Sequence, residues 1–214
     1  MSVIAPAILT DNLDIYKEMI ERVHSFATRV HIDISDGEFA PTLTVGVDQL
    51  YWPANWTVDV HAMVARPSQY VDALIKLKPN MIIFHAEAQE DLAPTIQRVK
   101  QAGIKIGLAL LKPTVPKTVQ SLIEQVDHVM IFSGDLGHYG GIASMMQLEK
   151  VRLIRLIKPS VEIGWDGGAN DENAFSLAQG GIDVINAGGA INKAADPPGM
   201  YKKMSDEINR KRVL

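Results

Sequence analysis

Short apolar runs alternate with amphipathic segments along the whole chain. Eight runs are rich in valine and isoleucine, and several are apolar on both faces; they cover residues 3–9, 29–34, 57–63, 81–85, 105–111, 128–132, 161–165 and 183–187. A strand has this composition when both of its faces are buried, as in a parallel sheet covered by helices. The pattern therefore predicts eight parallel strands.

The segments between these runs have helical spacing. Residues 12–26 carry an apolar residue every three to four positions, and either Asp11 or Asn12 is a candidate N-cap. Three further helices are predicted at 92–102, 144–157 and 172–179, each ending one or two residues before a glycine or a proline. Strands and helices are therefore expected to alternate along the chain.

Eight strand–helix units in 214 residues give about 27 residues per unit. This is close to the minimum for a (β/α)8 TIM barrel, the α/β fold class that we predict, with residues 1–214 as a single domain. No linker or low-complexity tract divides the series. A doubly wound sheet is the alternative, but no G-x-G-x-x-G motif follows the first run.

Composition excludes several classes of protein. The chain has no cysteine, so a disulfide scaffold, a thiolate zinc site and a cysteine nucleophile are excluded. Its 47% hydrophobic content argues against disorder, and its net charge of −4 argues weakly against a nucleic-acid partner. No apolar run reaches the length of a membrane span, and the N-terminus lacks the features of a signal peptide, so we expect a cytoplasmic protein.

Candidate chemistry follows from the place where barrel enzymes carry their sites, the carboxyl ends of the strands. His31 and Asp33 lie two residues apart near the end of the second run, His61 lies in the third, and Asp166 directly follows the seventh. Imidazole and carboxylate ligands suit one divalent ion such as Zn, Mn, Fe or Co. Any one of these residues alone is more often structural, but four in barrel register predict a metal site.

Two carboxylates beside a metal also suit acid–base chemistry. A ketose has a weakly acidic hydrogen on the carbon beside its carbonyl, and a metal polarises that carbonyl and stabilises the enediolate. Asp33 and Asp166 come from strands well apart around the ring, so they can flank a substrate. One carboxylate removes the proton and the other returns one to the opposite face, which inverts the centre.

Glycines follow the last three runs and indicate an anion site. The segments read S-G-D-L-G-H-Y-G-G at 133–141, G-G at 167–168 and G-G-A at 188–190. Phosphate sites in barrels are often built from these loops and a short helix N-terminus, where glycine lets backbone N–H groups approach the anion. Any one pair could be only a turn, but three successive loops favour a phosphate.

Together these motifs resemble the ribulose-phosphate 3-epimerase family over essentially the whole chain. The segments are A-P-A-I-L at 5–9, H-I-D-I-S-D-G-E-F-A-P-T at 31–42, D-V-H-A-M at 59–63, F-H-A-E-A at 84–88 and D-G-G at 166–168. They are similar, in order and spacing, to the family's P-S-I-L, H-x-D-x-M-D-G-x-F-V-P-N, D-x-H-L-M, F/L-H-x-E and D-G-G segments. Each is weak alone, but the combination is specific.

The resemblance implies a metal-dependent sugar-phosphate 3-epimerase acting on ribulose 5-phosphate or a related pentulose or hexulose phosphate. It implies His31, Asp33, His61 and Asp166 as metal ligands, with Asp33 and Asp166 as the acid–base pair. The resemblance also implies that six further residues contact the substrate or its phosphate: Met63, Gly140, Gly141, Gly168, Gly188 and Gly189. It also suggests a homo-oligomer.

Several residues depart from the family pattern. Ala7 replaces the serine of P-S-I-L, Ser35 replaces the methionine before D-G, and Phe132 stands where the family has methionine. The family's P-G-F-G-G-Q loop becomes L-G-H-Y-G-G-I at 136–142, with one extra residue. The metal and acid–base residues are kept while the residues around the substrate differ, so we interpret the chain as a divergent member.

Two alternatives stay open at this point. One is a lyase of the same superfamily, similar to hexulose-phosphate synthase, which typically carries lysine in a D-x-K-x-x-D pattern. The corresponding segment here has His61 in the place of that lysine, two residues after Asp59, which argues against a lyase. The other is a non-enzymatic sugar-phosphate binder; a binder could lose the metal ligands, yet all four are present.

Overall fold

The computed structural model describes residues 2–210. Eight parallel strands close into a barrel in the order in which they occur along the chain, as predicted. They are β1 (Val3–Ile8), β2 (Arg29–Ser35), β3 (Thr57–Met63), β4 (Met81–His85), β5 (Lys105–Leu110), β6 (His128–Phe132), β7 (Glu162–Asp166) and β8 (Val184–Ala187). The main shift is in β7, which runs one residue further than predicted, so that Asp166 is its last residue.

Eight α-helices accompany the strands in the described residues. They are α1 (Leu13–His24), α2 (Val71–Leu77), α3 (Ala93–Gln101), α4 (Gln120–Ile123), α5 (Glu149–Ile157), α6 (Ala174–Gln179), α7 (Gly189–Asn192) and α8 (Pro197–Ile208). The segment predicted as a helix over 144–157 begins with a 3-10 turn, Met145–Leu148. The last helix was not predicted, although Asp196 caps it and Pro197 occupies its first position.

Most of the core lies between the barrel and its helices. In α1 the side chains of Tyr16, Met19, Ile20 and Val23 are buried against the strands. Asn12, not Asp11, caps this helix, because its side-chain oxygen accepts hydrogen bonds from the backbone N–H groups of the first turn. The helical spacing of the sequence thus decides which face meets the barrel.

The barrel interior holds three sets of side chains. At the amino ends of the strands, Arg29 donates two hydrogen bonds of 2.8 Å to Glu162 and one of 2.8 Å to Asp59. An apolar cluster fills the middle: Met81, Ile83, Ala109, Met130 and Phe132. The carboxyl ends of the strands carry the histidines and aspartates of the candidate site. The Arg29 network and the apolar cluster therefore close the barrel on the side away from that site.

Replacing Arg29 by methionine is expected to lower the free energy of unfolding by roughly 3 kcal/mol. The Asp59 side chain is only 4% exposed and would lose a charged partner. Burial would raise the pKa of Glu162, but the hydrogen bonds from Arg29 and His128 outweigh it and hold this pKa below its usual value. The stabilisation from Glu162 is therefore present near pH 7 and fades as the pH falls below about 4.

Chemical denaturation of the wild type and Arg29→Met at pH 7 and at pH 3.5 measures this loss in the free energy of unfolding. Arg152→Met is the matched control, because its pair with Glu149 is 65% and 62% exposed and should contribute less than about 1 kcal/mol. Equal losses in the two variants would show that the Arg29 network adds no more than a surface ion pair.

Within residues 2–210, no helix has the length and apolar character needed to cross a membrane.

Candidate functional site

Three strands bring two histidines and two aspartates together at one end of the barrel. His31 and Asp33 point inward from β2, and register pairs Asp33 with His61 on β3. Asp166 ends β7 on the same side of the barrel. One ligand atom from each of these four residues lies within 4.8 Å of the others, as the sequence pattern predicts.

The donor atoms face one another at short range. Asp33 Oδ1 lies 2.8 Å from His61 Nδ1 and 3.2 Å from His31 Nε2. Asp166 Oδ2 lies 3.7 Å from His61 Nδ1 and 3.8 Å from His31 Nε2. The side chains are nearly inaccessible, with Asp166 the most exposed at 13%. Two imidazole nitrogens and two carboxylate oxygens thus share a small buried space.

Burial and neighbouring charge shift the pKa values of the two carboxyls in opposite directions. Burial would raise the pKa of Asp33, but His31 and His61 outweigh it and hold that pKa well below its usual range. Burial and then the nearby Asp33 raise the pKa of Asp166. The two carboxyls therefore differ in proton affinity, with Asp33 the stronger acid of the pair.

The arrangement fits a divalent transition metal. His31 is buried, and neither of its ring nitrogens makes a hydrogen bond, although Nε2 is 3.2 Å from Asp33 Oδ1. A buried nitrogen without a hydrogen bond is costly unless another group satisfies it. Burial lowers the pKa of His61, which favours the neutral imidazole that binds metals. Burial would also lower the pKa of His31, but the neighbouring Asp33 and Asp166 outweigh it and raise that pKa. A set of two nitrogens and two carboxylate oxygens suits Zn, Mn, Fe or Co.

A small cavity of about 40 Å³ opens beside these residues. Besides Asp33 and Asp166, it is lined by five of the six residues predicted to contact substrate or phosphate: Met63, Gly140, Gly168, Gly188 and Gly189. The sixth, Gly141, lines a neighbouring groove with Gly168 and Asn173. Gly189 begins α7, so backbone N–H groups of this turn border the cavity.

The comparisons with known proteins agree with this geometry. Residues 3–192 match the family model described as "Ribulose-phosphate 3 epimerase family". The chain belongs to the ribulose-phosphate 3-epimerase family. Membership places the protein among the isomerases of the epimerase class.

Individual relatives cover nearly the full chain. A ribulose-phosphate 3-epimerase of Helicobacter pylori is 34% identical over 201 residues, which are 90% of this chain and 92% of that protein. The Bacillus subtilis ribulose-phosphate 3-epimerase is 29% identical, over 96% of this chain and 97% of that protein. Among solved structures, 3-hexulose-6-phosphate synthase from Salmonella typhimurium aligns with a TM-score of 0.72 at 19% identity, covering 97% and 98% of the two chains. That similarity concerns the fold alone.

The three replaced residues that depart from the epimerase family pattern have distinct surroundings. Ser35 turns away to donate to the carbonyl of Thr42, 2.6 Å away, so it fixes the loop after β2. The Phe132 ring lies 5.9 Å from that of His61 and lines the cavity. Ala7 also lines the cavity, and its carbonyl accepts a hydrogen bond from Asn192. Two of the three substitutions therefore change the walls of the cavity.

Tyr139 takes up much of the space near Ala7. Its hydroxyl accepts a hydrogen bond from the backbone N–H of Leu9. A Cβ atom on Gly188 would lie only 2.6 Å from the Tyr139 ring, so glycine is required for this packing. In the sequence, Tyr139 belongs to the segment at 133–141 that was predicted to border an anion. Its ring packs against Gly188, one of the glycines predicted to contact the phosphate, and lines the cavity.

The D-G-G motif of this epimerase family member has a structural role as well. Gly168 has a φ of +72°, and a Cβ atom there would lie 2.3 Å from the backbone nitrogen of Ala143. The glycine thus permits the loop after β6 to approach the end of β7. This close approach places that loop over the cavity.

The F-H-A-E-A segment at 84–88 brings a third histidine to the site. His85, the last residue of β4, is fully buried, and its Nε2 lies 2.8 Å from Nε2 of His61. The F-H-A-E-A segment contained this residue and Glu87, but their side chains meet the site from behind His61. The sequence feature that could have indicated this pair is the H-x-E spacing of His85 and Glu87 at the end of a strand.

Proposed function

We propose that this family member is a metal-dependent epimerase that inverts the carbon beside the carbonyl of a ketose phosphate. The substrate is ribulose 5-phosphate or a related pentulose or hexulose phosphate. The observation that carries the proposal is the convergence of His31, Asp33, His61 and Asp166 within 4.8 Å at the carboxyl ends of three strands. In this proposal all four residues are ligands of one divalent metal.

Asp33 and Asp166 act as the acid–base pair. They extend from β2 and β7, strands separated by β1 and β8 around the ring, so their free oxygens can approach a bound ketose from different sides. When bound, the metal acts as a Lewis acid toward the carbonyl and makes the hydrogen on the adjacent carbon more acidic. One aspartate takes that hydrogen as a proton, and the other delivers a proton to the opposite face of the planar enediolate.

The remaining residues hold the substrate. Met63 and Phe132 supply an apolar wall beside Asp33 and Asp166. The phosphate is bound by backbone groups at Gly140, Gly141, Gly168, Gly188 and Gly189. Because ligand pockets usually measure roughly 300–1,000 Å³, the cavity of about 40 Å³ must enlarge. Displacement of Tyr139 and the loop after β6 would provide that space.

The proposed function is tested by incubating the metal-loaded protein with ribulose 5-phosphate and with hexulose phosphates in D2O. NMR spectroscopy should detect the 3-epimer of one of them, with solvent deuterium at the inverted carbon. The same sugars without phosphate serve as controls and should react much more slowly. Cleavage of the carbon chain, or binding without turnover, would contradict the proposal and support the lyase or the non-enzymatic binder.

A further inference from the structure

A second pair of side chains lies behind the proposed metal ligand His61. One ring nitrogen of His61, Nδ1, faces Asp33, and the other, Nε2, lies 2.8 Å from Nε2 of His85. Two neutral imidazoles at this distance share a single hydrogen: one nitrogen donates it and the other accepts it. The direction of this hydrogen bond therefore fixes which nitrogen of His61 has a free lone pair.

Only one direction makes His61 a metal ligand. If Nδ1 of His61 is to coordinate a metal, its hydrogen must be on Nε2 and is donated to His85. His85 then carries its own hydrogen on Nδ1, which faces Glu87 Oε2 at 3.4 Å. In the opposite pattern His61 Nδ1–H donates to Asp33, and the lone pair of His85 Nδ1 faces the Glu87 carboxylate. Glu87 disfavours that second pattern because two acceptors would face each other.

Glu87 is held in the orientation that this role requires. Its Oε1 accepts hydrogen bonds from the backbone N–H of Leu111, at 2.9 Å, and from the Thr114 hydroxyl. These bonds occupy one carboxylate oxygen and leave Oε2 for His85. The Glu87 side chain is 22% exposed, whereas that of His85 is fully buried.

Two aromatic rings enclose His85. The ring centroids of Phe39 and Phe132 lie 4.7 Å and 5.6 Å from that of His85. Apolar rings offer no strong acceptor for a ring N–H, so Glu87 is the acceptor available to His85 Nδ1 among the described residues. The choice of tautomer in both histidines thus depends on this carboxylate.

We propose that His85 and Glu87 are positioning residues that set His61 in its metal-binding tautomer. This inference rests on the proposed function, since it requires that His61 binds a metal. Carboxylate–histidine pairs behind metal ligands typically change metal affinity 10- to 100-fold when they are mutated. His85 places one more imidazole between the carboxylate and the ligand.

Glu87→Gln is the first test, with metal affinity as the readout. Glutamine has a similar shape, but its amide N–H can donate to His85 Nδ1 and stabilise the wrong pattern. Titration of the chelator-treated full chain with Zn²⁺ or Co²⁺ should give a Kd about 10- to 100-fold higher than that of the wild type. Glu90→Gln is the matched control, because Glu90 bonds to Ser68 and to no histidine, and its Kd should stay within about twofold of the wild type.

Two replacements of His85 separate positioning from packing. The side-chain oxygen of His85→Gln can accept the hydrogen of His61 Nε2, whereas His85→Leu fills the space with no acceptor. Affinity for Co²⁺ should be closer to that of the wild type in the glutamine variant and much weaker in the leucine variant. Circular dichroism checks that both variants fold. If neither does, NMR spectroscopy of ¹⁵N-histidine in the zinc-loaded wild type decides, since it should place hydrogens on His61 Nε2 and His85 Nδ1.

The outcomes distinguish this inference from the function on which it rests. If the wild-type protein binds neither Zn²⁺ nor Co²⁺, the proposed function and the inference both fail. If the wild type binds metal and Glu87→Gln binds it equally well, the inference alone fails. Zinc-loaded wild type with hydrogens on His61 Nδ1 or His85 Nε2 would also overturn it.

Discussion

Replacing Asp166 by asparagine is expected to reduce kcat/KM for the ketose phosphate by about 10³-fold or more, and Asp33→Asn should do the same. Asparagine keeps the shape of the side chain but can neither take up nor deliver a proton at this position. It also removes a negative charge from the donor set, in which both carboxylates lie within 4.8 Å of the two histidines. The loss should therefore combine weaker metal binding with the absence of one acid–base group.

Two measurements separate these effects. When turnover is measured at a metal concentration that saturates each variant, weaker metal binding no longer contributes. The remaining decrease in turnover then reports the loss of one acid–base group. Under those conditions the remaining aspartate can still exchange the hydrogen of one epimer with D2O, so exchange without inversion is expected from one epimer in each variant. Asp206→Asn is the control, because this carboxylate is 66% exposed on α8 and, among residues 2–210, forms an ion pair with Lys202 alone. A loss of less than tenfold in both site variants would reject the two-base assignment.

Removal of the metal is expected to abolish epimerisation and to destabilise the fold. Without it, Asp33 and Asp166 remain close together in a buried space, and His31 has no hydrogen bond at either ring nitrogen. A ligand at 100 times its Kd adds about 2.7 kcal/mol of stability. We therefore expect chelator-treated protein to unfold at a temperature several degrees lower and to recover activity and Tm when one equivalent of a divalent transition metal is returned.

The metal experiment needs a variant in which chelation has a smaller effect because metal binding is weakened. His61→Gln, which removes one proposed ligand, should show a smaller change in Tm on chelation than the wild type. His24→Gln is the matched control, because His24 lies on α1 away from the cavity, and it should respond as the wild type does. Full activity in protein shown by elemental analysis to be metal-free would exclude the metal mechanism.

Much of this molecule could be predicted from local patterns. The bounds of β3, β4 and β6 agree with the apolar runs at 57–63, 81–85 and 128–132, because strands buried on both faces leave a continuous apolar signal. Shorter helices such as α2 and α4 were missed, since a stretch of seven residues or fewer gives little periodicity. Segment ends shifted where a turn decides the boundary, as before α6, where the Asn170 side chain accepts hydrogen bonds from the backbone N–H groups of Glu172 and Asn173.

The sequence alone determined the barrel and the four residues at its mouth. In a closed parallel barrel all carboxyl ends lie on one side, so position along each strand is enough to bring His31, Asp33, His61 and Asp166 together. Only the tertiary structure decided which histidine nitrogens face the carboxylates, that His85 and Glu87 stand behind His61, and that the Tyr139 ring packs against Gly188 at the cavity wall. These features depend on side-chain rotamers and on distances between residues far apart in the chain, which no local spacing specifies.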